Sequence, residues 1–237
     1  MGVAPPRRLT EAETELGPVP SFSGMRAVHP LSPIALVLSL TALGAPAGAS
    51  EVSQISKEDY FAAAYYKQAL EDPRIQKIKA ESKRMAAVAK DIRMKPKELK
   101  SALEKVDGLG GDPAELAVGA IKQSLEQTRL KGRVLDVLFN TEEPKHVVVY
   151  VRWRGSNTKE VVKEASEIAH AVSAEAPFVS TLSLAAIPPK AATSSRDAVW
   201  SAKIGGDRMS SIQPKRIDDY ADRLYARLFE VVDNKPF

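Results

Sequence analysis

The hydrophobic period of this chain changes near Lys131, and that change constrains the fold more than any single motif. Before it, apolar residues recur every three to four positions, the repeat of one helix face. After it they alternate, the repeat of one face of a strand. An α+β fold follows, helical in its first half and sheet-based in its second.

The helical half runs from Ser56 to about Arg129. Tyr60, Phe61, Ala64, Tyr65 and Leu70 give the apolar side of a first helix, and Ile75, Ile78, Met85, Ala89 and Ile92 that of a second. A third covers Lys97 to Val106, and a fourth carries Leu116, Ala120, Ile121 and Leu125. Asp72-Pro73 and Asp112-Pro113 mark two helix starts, because an aspartate oxygen accepts from free N–H groups and a proline at the first position has none to leave unsatisfied. Gly108, Gly110 and Gly111 interrupt the chain before the fourth helix.

Beyond Lys131, Val134 to Phe139 and Val147 to Trp153 read as strands of a hairpin closed by residues 140–145. Val147, Val149, Val151 and Trp153 share one face of the second strand; Val148, Tyr150, Arg152 and Arg154 share the other. Asn157 and Glu160 open a helix whose Val161, Ala165, Ile168, Ala169 and Val172 recur at helical spacing. Strands from Phe178 to Ile187 and from Ala198 to Ile204 come next. Pro214 then starts a last helix with Ile217, Tyr220, Ala221, Leu224, Leu228 and Val232 inward. The order β-β-α-β-β-α predicts a mixed four-stranded sheet with helices on one face, its second and third strands parallel across the helical crossover.

The N-terminus reads differently. From Met25, Arg26 and His29 precede an apolar run from Ile34 to Leu43, and small residues follow at Ala47 and Ala49. That is the pattern of a secretory signal peptide cleaved after Ala49. Residues 1–24 are proline-rich and aperiodic, which suggests that translation starts at Met25. The expected organisation is therefore a disordered extension (1–24), a signal peptide (25–49), a helical region (50–131) and an α+β domain (132–237). The product is exported, periplasmic or secreted, and keeps no transmembrane helix after processing.

The succession of a helix at 114–128, two strands, a helix at 158–172 and a further strand resembles the BON domain. The segments Val147 to Gly155 and Lys159 to Val172 carry the resemblance over about residues 112–187. It implies a module of exported bacterial proteins associated with attachment to phospholipid membranes.

Composition removes several chemistries. With no cysteine in 237 residues, a disulfide scaffold, a thiol nucleophile and a thiolate metal site are all excluded. No catalytic set, cofactor or metal site is expected. His146 and His170 have no convincing ligand at metal spacing, and no Gly-x-Ser-x-Gly elbow, phosphate loop or dinucleotide fingerprint is present. Asp218, Asp219 and Asp222 suit the positive end of the last helix better than a cation site.

The net charge of +4 hides an uneven distribution. Residues 73–106 hold eleven Lys or Arg against four acidic residues, a local +7. On one continuous helix Lys79, Lys83 and Lys90 form a stripe beside Lys77 and Arg84, and Lys97 and Lys100 continue the basic surface. This set is the expected binding face for anionic lipid, a wall polymer or an acidic protein. Tyr150, Arg152 and Arg154 are candidate contacts for an anionic ligand on the sheet. Two alternatives stand beside the binding-module reading. One is an exported hydrolase with an unrecognised site. The other is a helix-turn-helix protein that binds DNA through residues 88–103, against which Arg93 occupies a turn position that favours glycine.

Overall fold

The computed structural model describes residues 50–193 and 197–237, so the signal-peptide and start-site readings, with Ala47 and Ala49, lie outside the described residues. After a 3-10 turn at Glu51–Gln54 come α1 (Lys57–Ala69), α2 (Pro73–Gln76), α3 (Glu81–Asp91), α4 (Pro96–Asp107) and α5 (Pro113–Leu125). The strands β1 (Val134–Asn140) and β2 (Val148–Arg154) follow, then α6 (Val161–Glu175), β3 (Thr181–Ile187) and β4 (Trp200–Gly205). The C-terminal segment holds α7 (Gly206–Met209), α8 (Ile217–Tyr220) and β5 (Glu230–Asn234).

Local capping explains the marked starts. Asp72 and Asp112 accept from the backbone N–H of Arg74 and Ala114 at 2.8 and 2.9 Å, and Ser56 caps α1 through Asp59 N–H at 3.0 Å. Asn157 Oδ1 takes the N–H groups of Lys159 and Glu160 as the chain enters α6.

The sheet is mixed and has five strands in the order β1-β2-β3-β4-β5. Only β2 and β3 are parallel, as the α6 crossover requires. The fifth strand corrects the four-strand expectation. The expected last helix does not form: a 3-10 turn at Pro214–Arg216, α8 and a 3-10 turn at Tyr225–Leu228 lead into β5. Phe229-Glu-Val-Val is β-branched and aromatic, and β5 gives partners to the backbone of β4, whose edge would otherwise be open. Leu224 and Val232, expected inward, are exposed.

The long second helix is also corrected. The chain leaves helical form between Gln76 and Glu81, giving α2 and α3. No glycine or proline lies in that gap, so packing decides it. Ile75 of α2 is buried in the same core as Val88 and Ala89 of α3.

Two cores result. The larger joins the inner sheet residues Val149, Val151, Trp153, Leu182, Leu184, Trp200 and Ile204 to Ile121 and Leu125 of α5 and to Ile168 and Val172 of α6. The smaller joins Tyr66, Ile75, Val88, Leu99 and Ala102 within α1–α4. α1 serves both, with Tyr60 and Ala63 in the first and Ala62 and Tyr66 in the second. Among the described residues no helix is long and apolar enough to cross a membrane.

Candidate functional site

The basic surface belongs to the lobe built on the smaller core. In α3, Val88 and Ala89 are buried while Lys83 and Lys90, seven residues apart, project from the opposite side. Lys77 and Lys79 sit in the irregular segment before α3, so they do not continue a helical stripe. Lys97 and Lys100 leave the outer side of α4, opposite Leu99, Ala102 and Val106. Arg84 is only half-exposed, and its Nε has no hydrogen-bond partner among the described residues.

Counter-ions divide this set. Lys100 lies 3.6 Å from Glu104, and Lys95 lies 3.5 Å from Glu98. Lys77, Lys79, Lys83, Lys90 and Lys97 are exposed and make no ion pair among the described residues. None of the exposed large apolar side chains falls between residues 73 and 107. This surface can attract by charge but presents nothing bulky to insert.

The turn between α3 and α4 sets how the two basic helices join. Arg93 adopts φ 57°, with its N–H bonded to Lys90 O at 3.2 Å and Met94 N–H bonded to Ala89 O at 2.8 Å. This is the paired bonding of a Schellman stop, which reverses the chain within four residues. The glycine-like conformation that counted against a helix-turn-helix is therefore adopted by arginine itself.

The three sheet candidates share the face opposite α6, but they are not equally available. Arg152 is committed to Asp136, its cross-strand partner, through Nε at 2.6 Å and Nη2 at 2.5 Å. Arg154 donates from Nη2 to Thr193 Oγ1 at 3.0 Å. Tyr150 is 43% exposed beside Leu138, which is 47% exposed. Across the same row stand Ser183 and Lys203.

A buried network escaped the sequence reading. Glu164 of α6 is fully buried, and its carboxylate accepts from Arg133 Nη1 at 2.7 Å and Trp153 Nε1 at 2.9 Å. Ser156 N–H adds longer contacts at 3.2 and 3.3 Å. The signal was present: Glu164 falls between Val161 and Ile168 on the inward side of α6, and a core tryptophan needs an acceptor for its N–H. Nearby, Arg129 reaches Glu160, Glu167 and Asp218 at 3.0, 2.6 and 2.8 Å. Burial works against the Arg129 cation, but hydrogen bonds with Asp218 and Glu167 hold its pKa well above the usual arginine value. Those contacts occupy Asp218, the first residue of the aspartate cluster.

His146 is exposed and His170 half-buried. No group of three or more carboxylates and histidines that could hold a metal occurs among the described residues. An open cleft of about 430 Å³ is lined by Tyr65, Gln68, Asp72, Arg74, Ile75 and Asp91. A second, of about 350 Å³, lies between Glu51, Gln54, Ile55, Glu104, Lys105 and Leu109. Neither includes a histidine. In the first, Arg74 already neutralises Asp72 at 2.7 Å, which depresses the Asp72 pKa. No family model, curated protein or solved structure matches the chain.

Proposed function

We propose that this chain is an exported, non-enzymatic binding module that attaches to an anionic surface or acidic partner through the α2–α4 lobe. The observation that carries the reading is the group of five exposed lysines that make no ion pair among the described residues, Lys77, Lys79, Lys83, Lys90 and Lys97. Exposed acidic residues stand among them, Glu81, Asp91 and Glu98, yet none forms an ion pair with these five lysines among the described residues. Here each lysine contributes about 1 kcal/mol when it meets a dense anionic surface, and salt screens that attraction. Arg84, partly covered by its own lobe, adds less. Tyr150 and Arg154 remain a secondary contact in this reading, while the Arg152–Asp136 pair supports the sheet rather than a ligand.

The order helix, strand, strand, helix, strand over residues 113–187 supports reading that stretch as a BON-like unit extended by β4 and β5. An envelope location, periplasmic or secreted, fits this reading. Cosedimentation of the chain with vesicles of anionic lipid at low and high salt tests it. Retention that salt abolishes is expected. Equal recovery with neutral and anionic vesicles, together with no retention on an anionic polymer, would remove it.

A second reading has one observation in its favour. α3, the Arg93 turn and α4 form a helix-turn-helix arrangement, with Lys97 near the start of the second helix. Duplex DNA retained at a salt concentration that releases anionic vesicles would favour it.

A further inference from the structure

We infer that Arg93, at the tip of the α3–α4 turn, anchors the basic lobe to a ligand that carries phosphates in a close row. This rests on the reading of the lobe as anion-binding and names the chemistry its tip would select. Three successive local choices at this turn oppose folding. Arg93 is the only non-glycine residue with positive φ among the described residues, at a helix stop where glycine is the unstrained choice. Lys95 stands at the N-cap of α4, where its side chain cannot accept a backbone N–H. Its own N–H donates to Glu98 Oε2 at 3.2 Å, so Glu98 supplies one half of a cap. Lys97 lies in the first turn of α4, at the positive end of the helix dipole.

Each of these choices places a cation between residues 93 and 97, and Lys90 precedes them in the last turn of α3, with the exposed Asp91 and Glu98 in the same stretch. Local rules broken together at one place mark sites where function overrides folding. Among the described residues, only Lys95 of the four cations forms an ion pair, with Glu98 at 3.5 Å. Folded proteins intersperse carboxylates with lysines, whereas a phosphate chain or phosphate-bearing surface presents like charges at close spacing. The planar guanidinium fork of Arg93 matches two oxygens of one phosphate, and the lysines act as point charges around it.

The full chain titrated with inorganic polyphosphate over a range of salt tests the inference. Arg93→Gly is expected to raise the thermal midpoint by about 2 °C through relief of the turn. It should also weaken polyphosphate binding about fivefold and reduce the log–log salt slope by about one. Arg93→Lys should keep the slope and still bind less tightly than the parent chain. Unchanged affinity in Arg93→Gly, or a lowered midpoint, would overturn the role of Arg93. Lys83→Glu and Lys90→Glu separate the two levels. If they weaken binding while Arg93→Gly does not, only this inference fails; if none weakens it, the lobe reading fails too. Polyglutamate of matched charge bound as tightly as polyphosphate would overturn the phosphate assignment. Binding to polyphosphate alone or to phosphatidylglycerol vesicles alone supports it and tells a free chain from a lipid surface.

Discussion

Glu164 shows how one side chain can hold a sheet to its helix. A buried tryptophan removes about 200 Å² from water, roughly 5 kcal/mol of transfer free energy. An unpaired indole N–H would give back about 1–3 kcal/mol of that. Glu164 accepts the Trp153 N–H and neutralises Arg133 at once. Glu164→Ala takes the acceptor from the Trp153 N–H and the counter-charge from Arg133, whose guanidinium keeps its bonds to the Arg129 and Arg154 carbonyls, and should cost about 3–5 kcal/mol. Trp153→Phe keeps the Arg133–Glu164 pair and should cost less, about 1–3 kcal/mol. Denaturant midpoints check the order, and the reverse ranking would show that the network is not what stabilises this region. Two glycines give a contrasting pair. A Cβ on Gly206 would lie 2.5 Å from the Val179 carbonyl oxygen, so Gly206→Ala should lose about 1–3 kcal/mol. Gly119, inside α5 with nothing within 4 Å of its added Cβ, should gain about 0.5–1 kcal/mol on replacement by alanine. Thermal melts of the two variants should shift in opposite directions.

At the scale of elements, single ion pairs tie short segments to long ones. α8 has only four residues, and Asp218 attaches it to Arg129, which also holds α6 through Glu160 and Glu167. The Arg129 guanidinium lowers the Asp218 pKa below its ordinary 3.8. Burial pushes Asp59 up, but hydrogen bonds from Lys105 and Ser56 outweigh it and leave the Asp59 pKa lowered from 3.8. A carboxylate with a lowered folded-state pKa adds stability above its unfolded value and loses it as the pH falls through the folded one. The urea midpoint should therefore drop below pH 3.8. The difference between the parent chain and Asp218→Asn should vanish over the same window. Because Asp218 is 70% exposed, the difference should be small and should shrink in salt. A constant difference down to the lowest pH would exclude the ion pair as its cause.

For the whole molecule, the two cores differ in extent. The larger spans the sheet, α5, α6 and the C-terminal segment, while the smaller is confined to α1–α4. Amides of α2, α3 and α4 should exchange with solvent at lower opening free energy than those of β2 and β3. Hydrogen exchange by mass spectrometry reads this directly, and equal protection would mean that the lobe and sheet open as one unit. The proposed binding surface thus lies on the part of the fold expected to open first. Ordering it on a ligand should slow exchange there and leave the sheet unchanged.

Much of this was legible in the amino-acid order, for local reasons. The Asp-Pro starts, the Asn157 turn that leads into α6, the change of period at Lys131 and the alternation of Val147, Val149, Val151 and Trp153 are decided within a few residues of chain. The excess of cations in residues 73–106 and the exclusion of thiol chemistry are likewise properties of the sequence alone. Only the tertiary structure decided the break between α2 and α3, because Ile75 folds back onto Val88 and Ala89. The same holds for the strand at residues 230–234, because the edge of β4 needs hydrogen-bond partners that a helix would not offer. The positive φ of Arg93 and the burial of Glu164 belong with these. In each, a side chain or backbone group takes a locally unfavourable state, and partners that proximity along the chain does not dictate hold it there.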